Sequence, residues 1–358
     1  MSGSRRSPPT TARSIRPTTR TYILAFHRDP SQTQASRRST PPSNPPKPGT
    51  SSTSRTPRVT TTTPRPTKSS AASSSSTASS RSAGRLLLLG GEPGGEPAVS
   101  LYTAGFAAAG IEASCEVRTV AATELADAIA RIRADRSVLG AAVTMPHTVA
   151  ASRLLDGLGP EAQVIKAVNT ISHRAGALIG WNTDRPAFSL ALEDAGFQAK
   201  GRSVLVLGAG GAARASVDAL RETAPRIWVS SRDLEEARAL CRDLEVSSGG
   251  PAPLGSLALL VRKAELIVNA TPVGSDGQSV LFPIDWITPG HFIFDLIYQP
   301  PVTPLVRGAR ERGARAINGL TMLLFQGLAA FEIWTGQAPP EAAMRAALER
   351  AVVERLKP

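Results

Sequence analysis

The stretch Val204-Leu-Val-Leu-Gly208-Ala-Gly210-Gly-Ala-Ala213-Arg214 decides the fold of the second half of the chain. It predicts a buried strand, a turn of the form G-x-G-x-x-A and a helix that begins in the turn. Gly208 permits the tight turn, Gly210 lets the backbone approach a pyrophosphate, and Ala213 lets helix and strand pack closely. The free N–H groups at the helix N-terminus favour an anion. The stretch therefore predicts a dinucleotide site whose turn consists of Gly208, Ala209, Gly210, Gly211 and Ala212.

The end of the next predicted strand indicates which dinucleotide binds. It has the sequence Val229-Ser-Ser-Arg-Asp233, with two hydroxyls and an arginine where an acidic residue would select the ribose 2′-hydroxyl of NAD. Ser231 and Arg232 suit the 2′-phosphate of NADP, whereas Asp233 leaves some preference for NAD open. The alternative for Arg232 is a solvated arginine that pairs with Glu235 or Glu236.

Short apolar runs alternate with helical stretches on both sides of this turn. Strands are predicted at 85–90, 114–117, 139–144, 202–208, 226–230, 266–269 and 291–296. Helices are predicted at 98–109, 122–134, 184–195, 320–335 and 340–356. This alternation predicts an α/β fold with parallel or mostly parallel sheets, in which the 184–195 helix connects two halves.

Residues 1–84 differ from the remainder in composition. Residues 1–85 hold 15 Lys or Arg and one acidic residue, whereas the following residues hold 26 basic and 28 acidic ones. Ser, Thr, Pro and Arg dominate this tail, which cannot bury enough apolar surface to offset the entropy of ordering, so it is predicted to be disordered. Three interpretations are open: a transit segment, a weak polyanion-binding arm, and a segment without function that is either a dispensable extension or the result of a misassigned translation start. We favour the third.

Several classes of protein are excluded by composition. The chain of 358 residues has two cysteines, Cys115 and Cys241, and four histidines without ligand spacing, so we expect neither a disulfide scaffold nor a metal site. No apolar run approaches the roughly 18 residues of a membrane helix. The excess positive charge lies in a tail without interleaved aromatic residues, so nucleic acid is not an expected partner. We expect a reduced, cytoplasmic protein.

Eight segments of the chain resemble those of shikimate dehydrogenases. Their order and spacing match that family from about Leu86 to Val353. The segments are Val143-Thr-Met-Pro146, Ala167-Val-Asn-Thr170, Asn182-Thr-Asp184, Gly208-Ala-Gly-Gly-Ala212, Ser231-Arg232, Asn269-Ala-Thr271, Asp295-Leu-Ile-Tyr298 and Gly319-Leu-Thr-Met-Leu323 with Gln326.

The resemblance implies an α/β substrate domain at 85–187, a Rossmann-type NADP-binding domain at 188–318 and C-terminal helices at 319–358 that return to the substrate domain. It implies NADP-dependent interconversion of 3-dehydroshikimate and shikimate, or of a related cyclic hydroxy acid. NADP is the implied cofactor, and the implied partner is a small-molecule substrate. We expect a monomer or a homodimer.

The resemblance also assigns site residues. Asp184 is the implied catalytic carboxylate, and Thr148 occupies the position of the family's catalytic lysine. The implied substrate-binding residues are Thr144, Asn169, Tyr298 and Gln326. Besides the glycine-rich turn, the implied cofactor-binding residues are Ser231, Arg232, Asn269 and Thr271.

The chain departs from the family pattern on the substrate side. Thr148 replaces the lysine, and Pro97 and Val99 replace the two serines of the family's Ser-x-Ser. A hydroxyl is too weak an acid to replace an ammonium, so Lys166, Arg185 or His147 would have to compensate. The sequence leaves two classes open: a working NADP-dependent dehydrogenase, and a non-catalytic or weakly active NADP-binding relative.

Overall fold

The computed structural model describes residues 84–91 and 95–354. The predicted tail lies outside the described residues except for Gly84, which is the first residue of a strand. That strand therefore begins one residue earlier than the sequence predicts. The last two residues of the predicted 340–356 helix also lie outside the described part.

Strands in the first half of the described chain form a six-stranded sheet. Its spatial order is β2-β1-β3-β5-β6-β4. The strands are β1 (Gly84–Gly90), β2 (Ala113–Thr119), β3 (Val138–Val143), β4 (Gly157–Leu158), β5 (Thr170–Arg174) and β6 (Ala177–Trp181). The leucines of β1 alternate between the two faces, Leu86 and Leu88 entering one apolar core and Leu87 and Leu89 the other. Strand β1 is therefore buried on both faces, as its unbroken leucine run predicts.

The first sheet is mixed, because β5 runs antiparallel to both β3 and β6. Ala175 and Gly176, which join β5 to β6, both have positive φ, as a tight hairpin turn requires. The sequence did not predict this hairpin, since Thr170–Arg174 is largely polar and Ala177–Trp181 is a short apolar run that we did not assign to a strand. The hairpin places Asn169 and Asn182 immediately outside two paired strands.

The second sheet is parallel throughout. Its spatial order is β12-β11-β10-β7-β8-β9. The strands are β7 (Ser203–Leu207), β8 (Arg226–Ser230), β9 (Gly249–Ala252), β10 (Leu266–Asn269), β11 (Phe292–Asp295) and β12 (Arg315–Ile317). Counted along this half of the chain, the order is the 3-2-1-4-5-6 of a doubly wound dinucleotide-binding sheet. The predicted fold class is confirmed, and β9 and β12 are strands that the sequence did not reveal.

Helices cover both faces of both sheets. In the described residues they are α1 (Glu96–Ala108), α2 (Leu125–Ala134), α3 (Thr148–Ala151), α4 (Pro160–Ile165), α5 (Asp184–Asp194), α6 (Gly211–Leu220), α7 (Leu234–Asp243), α8 (Leu257–Lys263), α9 (Pro304–Glu311), α10 (Leu320–Thr335) and α11 (Glu341–Glu354). Helix α5 leads from the first sheet to the second, and α10 packs on α5, on α1 and on strands β3 and β5. The chain thus returns to the first sheet, as the resemblance implies. The boundaries after residues 187 and 318 stay our proposal.

Candidate active site

The glycine-rich turn lies between β7 and α6. Gly208 has a φ of +108°, and a Cβ there would lie 2.8 Å from the carbonyl oxygen of Ala270, so both the backbone and the space require glycine. A Cβ on Gly210 would meet nothing within 4 Å. The N-terminus of α6 therefore faces open space, where its free N–H groups fit a pyrophosphate. Ala209 and Gly211 are buried in this turn, and Ala212 is half-buried.

The end of β8 lies beside this turn, since Gly208 N donates to the carbonyl oxygen of Ser230 at 2.8 Å. The buried Ser230 hydroxyl has no hydrogen-bond partner among the residues that the structure describes. Ser231 is half-buried and Arg232 is exposed. Within the same part of the chain, Arg232 forms no ion pair, because Glu235 pairs with Arg238 instead. The Ser231 hydroxyl and the Arg232 guanidinium are therefore available where the adenosine ribose of NADP would lie, with the buried Ser230 hydroxyl beneath them.

Asn269 and Thr271 lie where β10 ends, and their side chains are engaged within the protein. The fully buried Asn269 donates from Nδ2 to Asp295 Oδ1 at 2.9 Å. Its Oδ1 accepts from the backbone N and from the hydroxyl of Thr271, at 3.0 and 2.7 Å. Burial raises the pKa of the Asp295 carboxyl, which also accepts from Thr303 Oγ1 at 2.6 Å. These two predicted cofactor residues therefore shape the loop at this sheet edge.

Asp184 and Asn169 form the centre of the substrate-side site. Asn169 Nδ2 donates to Asp184 Oδ1 at 2.7 Å and to Thr183 Oγ1 at 2.8 Å. Its Oδ1 accepts from the backbone N of Thr183 at 2.8 Å. Because Thr183 engages both ends of this amide, the nitrogen of Asn169 is fixed toward the carboxylate. The sequence did not predict a role for Thr183, although it is the middle residue of Asn182-Thr-Asp184.

Helix α10 adds Gln326 to this network. Asn169 Nδ2 donates to Gln326 Oε1 at 3.5 Å, and Gln326 Nε2 donates to the Tyr102 hydroxyl at 3.4 Å and to the carbonyl oxygen of Leu323 at 2.9 Å. The phenol of Tyr102 therefore joins the site from α1. The sequence assigned Tyr102 no role, because it lies in an apolar stripe with Leu101 and Phe106 and is indistinguishable there from core.

Burial controls the protonation of Asp184. Burial raises the pKa of Asp184 to about 6, and the hydrogen bond from Asn169 acts in the opposite direction. Among the residues that the structure describes, Asp184 forms no ion pair. The carboxyl group can therefore gain and lose a proton close to neutral pH, which an unperturbed aspartate cannot do.

Thr148, Thr144 and Tyr298 take different positions around this centre. Thr148 is buried at the start of α3 and lies against the glycine-rich turn: a Cβ on Gly211 would be 2.3 Å from its hydroxyl oxygen. It makes no hydrogen bond to Asp184 in the described structure. Thr144 is exposed just after β3, and Tyr298 is half-buried in the loop after β11. Tyr298 and Asp184 both act on the pKa of Tyr102, which places the three groups near one another.

None of the three residues that could compensate for the missing lysine faces Asp184. His147 is buried, with Nε2 at 2.8 Å from the carbonyl oxygen of Val120, and so holds a loop in place. Arg185 Nε lies 3.1 Å from Asp218 Oδ2 on α6. Lys166 Nζ lies 2.6 Å from Asp243 Oδ1 at the end of α7.

Lys166 belongs to a charged junction between the two halves of the described chain. Arg214 of α6 donates from Nη2 to the same carboxylate at 2.5 Å. Its Nε donates to the carbonyl oxygen of Ile165 at 2.7 Å. Partial burial acts to raise the pKa of Asp243, but its hydrogen bonds to Lys166 and Arg214 hold it below the usual range. We name Lys166, Asp243 and Arg214 the Asp243 junction. It fixes the loop that carries Asn169 against the helix that begins at the glycine-rich turn.

Two further expectations concern metals and membranes. Over residues 84–91 and 95–354, no cluster of His, Cys, Asp or Glu side chains could hold a metal ion. In the same part of the chain, no helix combines the length and the apolar character needed to cross a membrane.

Three domain families match the chain. The shikimate dehydrogenase substrate binding domain matches residues 98–171, the shikimate / quinate 5-dehydrogenase family matches 189–276, and the shikimate 5′-dehydrogenase C-terminal domain matches 319–349. The matches follow the order of the first sheet, the second sheet and the returning helices.

Relatives with known names agree with these matches. The shikimate dehydrogenase (NADP(+)) of Citrifermentans bemidjiense is 41% identical over 257 residues, which cover 69% of this chain and 88% of that protein. The structure of Thermus thermophilus shikimate 5-dehydrogenase in complex with NADP(H) and shikimate is 36% identical with a TM-score of 0.66, covering 75% of this chain and 99% of that one. Quinate dehydrogenase of Corynebacterium glutamicum in complex with NAD is 26% identical with a TM-score of 0.66, covering 75% and 99%.

Proposed function

Because the chain belongs to the shikimate dehydrogenase family, we propose that it is an NADP-dependent oxidoreductase that interconverts 3-dehydroshikimate and shikimate or a related cyclic hydroxy acid. One observation carries the proposal beyond family membership. Asp184, half-buried and hydrogen-bonded to Asn169, has a pKa that desolvation raises to about 6, so it can exchange a proton with a reacting oxygen. Asn169 and Gln326 border that carboxyl with amide groups suited to ring hydroxyls.

The residues at the edge of the second sheet fit NADP. The open face of Gly210 and the α6 N-terminus suit the pyrophosphate, and Ser230, Ser231 and Arg232 suit the 2′-phosphate. NADPH, when bound, supplies the hydride that reduces a ketone to an alcohol. All other steps fall to side chains of this protein.

We assign the proton transfer to Asp184. In the reducing direction, the carbonyl oxygen of the substrate gains the proton that Asp184 holds, and the carboxyl becomes a carboxylate. In the oxidising direction, the carboxylate takes the hydroxyl proton. Asn169 donates to Asp184 in both states and so keeps the carboxyl oriented. This assignment removes the need for an ammonium at position 148.

The remaining substrate residues are Thr144, Asn169, Tyr298 and Gln326. Support for Asn169 and Gln326 comes from their hydrogen-bonded contact at 3.5 Å beside Asp184. Tyr298 is supported by its electrostatic proximity to Tyr102. Thr144 is supported by its position after β3 in the segment that leads to Thr148. We further propose that the protein acts in the cytoplasm, as a monomer or a homodimer.

A second candidate function is that of a non-catalytic or weakly active NADP-binding paralogue. The observation that favours it is Thr148, whose hydroxyl lies against Gly211 and not against Asp184. Pro97 and Val99, without hydrogen-bond donors in their side chains, add to it. This candidate retains cofactor binding and loses turnover.

Purified full-length protein tests both candidates. NADPH binding is measured by fluorescence titration, and turnover is followed by absorbance with NADP and shikimate or quinate. NADP-dependent oxidation of either acid supports the dehydrogenase, provided that the Asp184→Asn variant binds NADPH equally and turns over more slowly. Tight NADPH binding without turnover of any acid favours the paralogue. No NADPH binding contradicts both.

A further inference from the structure

Tyr102 is a buried phenol with an unused proton. The residue is 1% exposed, and its ring packs edge-on against Trp334 with centroids 5.0 Å apart. Its hydroxyl oxygen accepts a hydrogen bond from Gln326 Nε2 at 3.4 Å. Among the described residues, the hydroxyl hydrogen of Tyr102 meets no acceptor. A buried donor without an acceptor costs free energy unless a ligand supplies one.

This phenol ends a chain of hydrogen bonds that begins at Asp184. The carboxyl of Asp184 accepts a hydrogen bond from the side-chain amide of Asn169. The same amide of Asn169 donates to Gln326, and the amide of Gln326 donates to the Tyr102 hydroxyl. The two ends of this series of hydrogen bonds differ in chemistry. Asp184 offers an ionisable carboxyl, and Tyr102 offers a neutral O–H donor.

A ring acid brings its own negative charge into this site. The carboxylate has to lie away from Asp184, because two like charges in a buried site raise each other's energy. It also needs donors, because a carboxylate only accepts hydrogen bonds. The neighbouring cations are committed elsewhere, Lys166 to Asp243 and Arg185 to Asp218. With Lys166 and Arg185 paired, a neutral donor is the better candidate.

Tyr102 is a neutral donor at the opposite end of the hydrogen-bonded network from Asp184. The phenol of Tyr102 meets Gln326 of α10, and on α1 Tyr102 follows Pro97 and Val99. Neither of those side chains carries a donor. Burial also raises the pKa of Tyr102 above its usual value, so the phenol keeps its proton.

We propose that Tyr102 is a substrate-binding residue whose phenolic hydroxyl donates to the carboxylate of the ring acid. The acid then lies with its carboxylate at the α1 end of the site and its reacting oxygen at Asp184. This inference rests on the proposed function, and it adds a substrate-binding residue to it.

The experiment compares wild type with Tyr102→Phe, which removes one oxygen and keeps the ring on Trp334. Binding of shikimate, and of the same ring lacking the carboxylate, is measured by calorimetry at saturating NADP. A hydrogen bond to a charged group is worth about 1.5–3 kcal/mol. We therefore expect shikimate to bind about 10–150-fold more weakly to the variant, with little change for the ring without the carboxylate. Where turnover occurs, KM should rise and kcat should hold, because the bond exists in both ground and transition states.

Ser172→Ala is the matched control. Ser172 is another buried hydroxyl in the same half of the chain, where it accepts from Trp181 Nε1 at 3.0 Å. Its loss should lower the melting temperature without changing the preference for the carboxylate. NADPH affinity, measured on each variant, reports whether the fold is intact.

Three results would overturn the inference, and they are distinguishable. If Tyr102→Phe binds shikimate and the ring without the carboxylate with equally reduced affinity, the phenol only positions Gln326. Unchanged binding of shikimate would mean that the carboxylate lies elsewhere, with the proposed function intact. A wild-type protein that binds NADP but no ring acid would overturn the proposed function and this inference with it.

Discussion

The cofactor side and the substrate side of the molecule are built in different ways. On the cofactor side, the candidate site consists of backbone: a positive-φ glycine, the N-terminus of α6 and the end of β8. On the substrate side, it consists of side chains from distant parts of the chain, such as Asn169 and Gln326, which are 157 residues apart. A backbone site needs few particular side chains, whereas a side-chain network fails when one member is wrong.

The departures that we expect from the family pattern fall on one of these two sides. Thr148, Pro97 and Val99 all lie on the substrate side, while the glycine-rich turn and Ser231-Arg232 keep the expected pattern. Cofactor binding should accordingly tolerate changes on the substrate side, because the two sites share few side chains. The contact between Thr148 and Gly211 and the Asp243 junction are two places where the sides meet.

The largest effect is expected from Asp184→Asn, which preserves shape and removes the titratable proton. Loss of a positioned acid or base typically costs about 10²–10⁴ in rate, so kcat should fall by that factor while NADPH affinity holds. Wild-type oxidation needs the carboxylate and should rise with pH to a plateau above the Asp184 pKa of about 6. Wild-type ketone reduction needs the protonated acid and should decline above that pH.

Steady-state rates between pH 5 and 9 check this prediction. Both inflections should be absent in Asp184→Asn. An inflection that survives in the variant would assign the titration to another group. A fall in NADPH affinity equal to the fall in kcat would show that the two sides are not separable.

The second effect concerns Arg232→Ala on the cofactor side. Charged hydrogen bonds to a phosphate are worth about 1.5–3 kcal/mol, so NADPH should bind about 10–150-fold more weakly while NADH is little changed. Fluorescence titration with both cofactors measures the ratio. Arg238→Ala is the control, since Arg238 lies on α7 and pairs with Glu235. Equal affinity for the two cofactors in wild type would contradict the assignment.

The sequence predicted the cofactor side better than the substrate side for a physical reason. The strand, turn and helix at 203–220 are local, and each residue's role follows from φ, size and spacing. The bounds of β8, β10 and α10 agree with the prediction for the same reason. The burial of Asn269 could not be predicted from local sequence, because it depends on a hydrogen bond to Asp295, which lies on a strand 26 residues further on.

Polar residues in apolar surroundings could not be assigned from the sequence. Tyr102 has the helical spacing of a core residue, and only the approach of α10 shows that its hydroxyl meets Gln326. Lys166 and Arg185 lie next to site segments in sequence, yet their partners are Asp243 and Asp218 on helices of the other half. Adjacency along the chain indicates where a backbone lies but not where a long side chain points.

The smallest effect is expected at the Asp243 junction, from Lys166→Met. The change keeps the aliphatic stem and removes the ammonium, while Arg214 stays paired with Asp243 and the fold is preserved. The Lys166 side chain is 55% exposed, and exposed ion pairs contribute at most about 1 kcal/mol, so kcat/KM should fall by no more than about fivefold. Glu235→Gln is the matched control, because it breaks the Glu235–Arg238 pair within α7 and joins nothing to the other half. As salt screens the Lys166–Asp243 pair, kcat/KM of the wild type and of Glu235→Gln should approach that of Lys166→Met, whose own kcat/KM should change little. If both variants respond equally to salt, the loop that carries Asn169 is held by the contact of Thr148 with Gly211 and not by charge.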